Sequence, residues 1–243
     1  MKNVLILGAG SDIAQACADL LAREGCRLTL ASRNTSKLEE IAEDIRIRHG
    51  SEVEVRAFDA LATDTHHQFY KSLQQSPDLV ICAFGYLGEQ ELAQDDFEQA
   101  RRIIDTNYSG AVSILEVVAA DFANRATGVI VGIGSVAGDR GRQSNYIYGS
   151  AKGALAIYLA GLRNRLAKSG VHVATVKPGF VDTKMTAGLD LPPAITAQPE
   201  QIASDILKAV KKRRNIVYSL WIWRYIMLII RSIPEMIFKR LSM

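Results

Sequence analysis

The stretch Val4-Leu5-Ile6-Leu7-Gly8-Ala9-Gly10-Ser11-Asp12-Ile13-Ala14 decides the fold. A four-residue apolar run suited to a buried strand passes through a glycine-spaced turn into a segment of helical period. Strand, turn and helix in this order place free backbone N–H groups and the positive end of a helix dipole where a pyrophosphate would lie. Gly8 is expected to make the tight turn and Gly10 to allow close approach, with Ser11, Asp12 and Ile13 beside them. A βα turn that needs positive φ would show the same glycines without any nucleotide. The turn alone therefore leaves both readings open.

Working outward, short apolar runs alternate with amphipathic stretches along the chain, the pattern of repeated βα units. Seven strands are expected near Val4–Leu7, Arg27–Ala31, Glu52–Phe58, Leu79–Ala83, Gly128–Ile133, His172–Val176 and Ile216–Tyr218. Helical segments fill the gaps at about 12–24, 35–49, 63–75, 95–123, 145–168 and 198–213, each long enough for the right-handed crossover that parallel neighbours require. The expected class is α/β, a doubly wound, mostly parallel seven-stranded sheet of Rossmann type. This sheet domain would take residues 1–218, and a helical tail, apolar and basic, residues 219–243.

At 243 residues, with 48% hydrophobic and 23% charged, the chain suits one large domain and excludes disordered, collagen-like or coiled-coil classes. Cys17, Cys26 and Cys82 are too few and scattered for a disulfide framework or a metal site, and no metal is expected. Charge is unevenly spread. Nine Lys/Arg against one acid give the last 36 residues a net +8, leaving −5 for the rest. An acidic body argues against nucleic acid and puts any attraction to an anionic surface in the tail. The brief apolar run after Met1-Lys2-Asn3 lacks the long hydrophobic region of a signal peptide, so a cytoplasmic location is expected.

The second strand ends in Leu30-Ala31-Ser32-Arg33, with no carboxylate to accept hydrogen bonds from a ribose 2′-hydroxyl. Ser32 and Arg33 suit a 2′-phosphate, which favours NADP(H) while leaving NAD(H) usable. Asp59, past the third strand, is placed either to touch the adenine or to serve a turn or helix cap.

Tyr148-Gly-Ser-Ala-Lys152 sets a phenol and an ammonium one helical turn apart. So close a cation is expected to stabilise phenolate and lower the tyrosine pKa from about 10, making a proton donor to a carbonyl. Thirteen residues upstream, Ser135 ends the fifth strand, where its hydroxyl could polarise the same carbonyl.

Together the glycine turn, Asn107, Ser135, Tyr148, Lys152 and Pro178-Gly179 resemble the short-chain dehydrogenase/reductase superfamily over about residues 1–218. The resemblance implies that Tyr148 is the acid and that Lys152 also holds the nicotinamide ribose. It further implies that Ser135 orients the carbonyl, that Asn107 anchors a water in the proton relay, and that Pro178, Gly179, Val181 and Thr183 meet the nicotinamide. Homo-dimers or homo-tetramers are implied too. Two stretches depart from the family's pattern: Asp12 and Ala14 replace later glycines of the turn, and Cys82-Ala83-Phe84-Gly85 stands where Asn-Asn-Ala-Gly is usual.

Between Arg214 and Arg231 lie sixteen residues, nearly all apolar or aromatic but including Arg224. As a helix they would reach about 24 Å, short of a hydrocarbon core of about 30 Å. Read helically, Arg224, Arg231, Glu235 and Lys239 share one face and leave Trp221, Trp223, Ile226, Met227, Ile229 and Ile230 on the others, with Pro234 kinking the segment or starting a second helix. Such a helix suits the headgroup region of an anionic membrane, or an arm packed on the body or on a second subunit.

Gly132–Lys152 and Trp221–Met227 resemble one branch of the superfamily, the decaprenylphosphoryl-2-keto-erythro-pentose reductases. That resemblance implies an NADPH-dependent reductase, peripheral on the inner face of the cell membrane, that turns a polyprenyl-phosphoryl 2-keto-pentose into the arabinose form beside a partner oxidase. Two other readings stand beside it: reduction of another lipid ketone, such as a 3-ketoacyl thioester or 3-ketosphinganine, and a non-catalytic nucleotide sensor.

Overall fold

The computed structural model describes residues 2–241. Met1, Ser242 and Met243, at the outer ends of the two expected segments, lie outside the described residues. In chain order the elements are β1 Asn3–Leu7, α1 Asp12–Arg23, β2 Arg27–Ser32, α2 Thr35–His49, β3 Val53–Ala57, α3 His66–Lys71, β4 Leu79–Cys82, α4 Gln90–Asp95, α5 Phe97–Ile104 and α6 Gly110–Arg125. They continue with β5 Val129–Ile133, α7 Tyr146–Leu166, β6 His172–Pro178, β7 Phe180–Val181, β8 Thr196–Ala197, α8 Pro199–Lys211, β9 Ile216–Ser219, α9 Trp223–Ser232 and α10 Glu235–Phe238.

Seven strands form one parallel sheet in the order β3-β2-β1-β4-β5-β6-β9. Both faces are covered. Val4, Ile6, Leu28 and Leu30 pack against α1, α2 and α8, whereas Leu5, Leu7, Val80 and Ile130 pack against α6 and α7. The alternation follows from the two-residue side-chain period, and a strand buried on both sides reads as a continuous apolar run. The strand order switches between β1 and β4, whose following connections leave on opposite faces of the sheet, which opens a crevice at their carboxyl ends where such sheets bind ligands.

The expected single helix over 95–123 is interrupted. Asp96 has extended backbone and caps α5 by accepting from Glu98 N (2.9 Å), and residues 105–109 form a π-helical turn before α6. The bulge turns Asn107 inward, where its Nδ2 donates to Ile103 O (2.9 Å). A two-stranded ribbon, β7 with β8, was not expected; it carries the chain away from Pro178-Gly179 and back.

The tail splits its apolar residues differently from the sequence reading. Trp223 and Met227 are buried, with Ile226 and Ile230 packed beside them on Val136, Phe180 and Ile195, while Trp221, Tyr225, Leu228 and Ile229 face outward. The inward set follows i, i+3, i+4, i+7 from Trp223, so the body takes one face of α9 and leaves the other exposed. Arg140 fastens this arm: its Nη1 donates to Ile230 O (2.7 Å) and Ile233 O (2.6 Å), its Nη2 pairs with Glu235 (3.0 Å), and its guanidinium lies 3.7 Å from the centre of the Phe238 ring. No helix among the described residues is long and apolar enough to cross a membrane.

Candidate active site

Two adjoining clefts at the carboxyl edge of the sheet make one continuous groove. The first, about 270 Å³, is lined by Gly10, Ser11, Asp12, Ile13, Ser135, Tyr148, Lys152, Pro178, Gly179, Val181 and Thr183. The second, about 330 Å³, is lined by Gly8, Gly10, Ser11, Ser32, Arg33 and Asp59, and shares Ala83, Phe84, Gly85 and Met185 with the first. The groove thus collects every residue expected from the sequence to hold the cofactor or do chemistry except Asn107, which lies behind Gly85.

At the turn, Gly8 has φ +79°, and a Cβ there would collide with the backbone of Phe84. Glycine is required at that position on both counts. Ser11 caps α1, its hydroxyl accepting from Ala14 N (3.4 Å). The Asp12 carboxylate instead accepts from Lys184 N (2.8 Å) and lies 3.3 Å from Lys184 Nζ. This contact ties the segment after Thr183 to the start of α1.

At the far end Ser32 and Arg33 meet Asn34 and Lys37. Lys37 escaped the sequence reading, although its place three residues after the helix cap Asn34 puts it on the first turn of α2 facing the same end of the groove. Asp59 accepts from Leu61 N (3.0 Å), so its carboxylate shapes a turn and also lines the groove.

At the chemical end α7 begins at Tyr146, which brings Tyr148 and Lys152 one turn apart beside the end of β5. Lys152 Nζ donates to Ile133 O (3.0 Å). The Ser135 hydroxyl accepts from Ala137 N (3.1 Å), which leaves its own O–H free to donate. Asn107 is held by Tyr86, donating to its carbonyl (2.6 Å) and accepting from its N–H (3.3 Å). A Cβ placed on Gly85 would stand 2.9 Å from Asn107 Oδ1 and 3.3 Å from Lys152 Nζ, so the amide and the ammonium converge behind that glycine.

The protonation reading needs correcting. Burial pushes the Tyr148 phenol up to about 12, with the Ser135 hydroxyl only partly opposing it, and lowers the Lys152 ammonium to about 8. Desolvation disfavours the charged form of each group and is the largest influence on both, while Lys152 Nζ lies 5.8 Å from the centre of the tyrosine ring.

Among residues missed in the sequence, Lys184, Met185 and Thr186 also line the groove. Thr186 donates to Val181 O and stands 3.2 Å from Thr183 Oγ1, folding this segment back over Thr183. Their spacing carries no periodic signal. Only the placement of β7 reveals them.

A family model described as short chain dehydrogenase matches residues 2–192. An uncharacterized oxidoreductase of Mycobacterium tuberculosis is 34% identical over 241 residues, covering 98% of this chain and 96% of that protein. Another, from Streptomyces coelicolor, is 32% identical over 99% of this chain and 96% of its own length. Among solved structures, a short-chain dehydrogenase from Sphingobium yanoikuyae in complex with NADPH superposes with a TM-score of 0.84 at 25% identity, over 97% of each chain. With the glycine turn at one end of the groove and the tyrosine and lysine at the other, these likenesses lead to one conclusion: the chain belongs to the short-chain dehydrogenase family and is an NAD(P)-dependent oxidoreductase.

Proposed function

We propose that the protein is an NADPH-dependent carbonyl reductase working at the inner membrane face on a lipid-borne ketone, with a polyprenyl-phosphoryl 2-keto-pentose as substrate and the arabinose form as product. The observation that carries the reaction is the single groove joining Arg33 and Lys37 to Ser135, Tyr148 and Lys152. Its residues fit a phosphorylated dinucleotide: cations at the 2′-phosphate end, a glycine turn at a helix N-terminus, and a buried ammonium at the ribose end. The NADPH carried by the Sphingobium yanoikuyae neighbour supports that cofactor choice.

When bound, the cofactor supplies hydride to the carbonyl carbon. Tyr148 gives the proton to the carbonyl oxygen, since burial keeps its phenol protonated at neutral pH. Ser135 donates its free O–H to the same oxygen as negative charge grows there. Lys152, protonated below about 8, holds the ribose and favours proton loss from Tyr148. Asn107 steadies the Lys152 side of the site from behind Gly85. Asp12, with its charge answered by Lys184, leaves the pyrophosphate path usable.

The membrane part of the proposal rests on the outward face of the tail. Trp221 is 72% exposed and Tyr225, Leu228 and Ile229 more than half exposed, beside Arg224 and Arg231. A face of that kind suits a headgroup layer and would leave only the sugar of a lipid-linked substrate to enter the groove.

The experiment is NADPH consumption in mild detergent with a polyprenyl-phosphoryl 2-keto-pentose generated in place by an oxidase. Turnover lost in Tyr148→Phe is the expected result. Silence with intact NADPH binding, or undiminished turnover in Tyr148→Phe, would overturn the reading. Cosedimentation with anionic liposomes should fall when Trp221, Tyr225 and Ile229 are changed to Ser, and equal binding would remove the membrane role.

A further inference from the structure

Five buried side-chain nitrogen or oxygen atoms lack a hydrogen-bond partner among the described residues, and three of them surround the first turn of α7: Gln90 Nε2, Arg142 Nε and Asn145 Oδ1. A buried polar group without a partner costs free energy, so three around one helical turn call for a ligand. Gln90 Oε1 accepts from Ile147 N (3.0 Å), Asn145 N donates to Arg142 O (3.1 Å), and Gly149 N donates to Asn145 O (2.8 Å). The Gln90 side chain is thereby held on the first turn of α7, and the backbone turn from Arg142 to Asn145 leads into it.

The charge supports the same conclusion. Most arginines of the body find a carboxylate, as Arg140 finds Glu235 and Arg125 finds Asp121. Arg142 finds none among the described residues, and desolvation by burial lowers its pKa from the usual arginine value. A partly desolvated guanidinium and an unused amide N–H, both at the first turn of α7, supply the kind of donors that an oxyanion takes. Asn145 Oδ1 adds an acceptor for a neighbouring hydroxyl. All three lie at the end of α7 that carries Tyr148, three residues beyond Asn145.

We propose that Arg142 and Gln90 form an oxyanion subsite, with Asn145 Oδ1 accepting from a neighbouring hydroxyl, that takes the phosphoryl group of a phosphorylated hydroxyketone as its carbonyl meets Tyr148. The subsite rests on the reading of Tyr148 as proton donor. It adds that the substrate bears its phosphoryl group within a few bonds of the reacting carbonyl, and that the anion, not the lipid, is what the body of the enzyme recognises.

The test is binding of dihydroxyacetone phosphate and of dihydroxyacetone to the full chain with saturating NADP⁺, which prevents turnover, measured by calorimetry. The phosphorylated ketone should bind at least about tenfold tighter, the size expected of one hydrogen-bonded charge pair. Arg142→Gln should collapse that ratio toward one and Arg142→Lys should keep part of it. Gln90→Glu retains the acceptor for Ile147 N but puts negative charge in the subsite, so it should collapse the ratio as well. Unchanged NADP⁺ affinity in each variant shows that the fold is intact. Equal binding of the two ketones by the unmodified protein, or a preference that survives in both Arg142→Gln and Gln90→Glu, would overturn the proposal. NADPH consumption with the same ketones separates the two readings: an Arg142-dependent preference without turnover keeps the subsite and removes the reductase reading, while turnover without preference does the reverse.

Discussion

The Trp223 indole occupies the space that a side chain on Gly179 would need. The ring also meets Phe180 edge-on at 5.1 Å and donates from Nε1 to Ile195 O (3.0 Å), so one residue of the tail bears on the segment Pro178-Gly179 that lines the groove. Deleting a buried tryptophan typically costs about 3–5 kcal/mol. Trp223→Ala should lose about that much stability in urea unfolding, whereas Trp223→Phe should lose mainly the hydrogen bond, about 1 kcal/mol. Gly179→Ala should raise the Michaelis constant for NADPH, because either the indole or the Pro178-Gly179 backbone has to give way. An unchanged constant would show that the tail yields without moving the groove.

Lys152 gives activity and stability opposite demands. Its ammonium is lowered from 10.5 to about 8 by burial. Reduction needs it charged, so kcat/KM should fall as pH rises through about 8, and bound anionic cofactor should move the limb of kcat to higher pH. A pH profile flat from 6 to 9 would contradict the assignment.

Stability should respond in the opposite sense. Below about 8 the folded chain carries a buried charge that the unfolded chain carries in water, and this cost is relieved between about 8 and 10.5 as the folded state sheds the proton first. Lys152→Met should therefore melt about 3–6 °C higher than the unmodified protein at pH 7 while being inactive, and the gain should shrink at pH 10.

Arg33 and Lys37 should divide the recognition of the 2′-phosphate. Arg33→Ala and Lys37→Ala are each expected to weaken NADPH binding about tenfold, as one charge-assisted contact does, and to leave NADH nearly unaffected. Fluorescence titration of both cofactors measures this. Equal losses for NADPH and NADH would place the 2′-phosphate elsewhere.

Asp12 replaces a glycine of the family's turn and is held by Lys184. Lys184→Ala should leave its carboxylate facing the phosphates unanswered and weaken NADPH binding several-fold, about 3- to 10-fold at low salt and less at high salt. Asp12→Asn in the same background should restore the affinity. Failure of that rescue would mean that Lys184 acts only through the loop backbone.

What the sequence by itself determined was local or periodic. Apolar or alternating runs flanked by helical segments located all seven strands of the main sheet, because the central strands are buried on both faces and need continuous apolar residues, while the edge strands β3 and β9 are only partly buried. The turn at Gly8 and the Tyr148–Lys152 pair were legible because strand-turn-helix order and the helical repeat fix their geometry within a few residues. The tertiary structure alone decided what depends on residues far apart in the chain. Burial from several elements raised Tyr148 and lowered Lys152, reversing the shift that pair spacing had suggested for the tyrosine. A π-helical turn broke the expected helix at 95–123 to aim Asn107 inward. Packing on Val136 and Phe180 chose Trp223 and left Trp221 outside, although the two are neighbours in an apolar stretch that reads alike. The unpartnered groups of Gln90, Arg142 and Asn145 had no sequence signal either, since solvation and the absence of a partner are properties of the assembled surroundings.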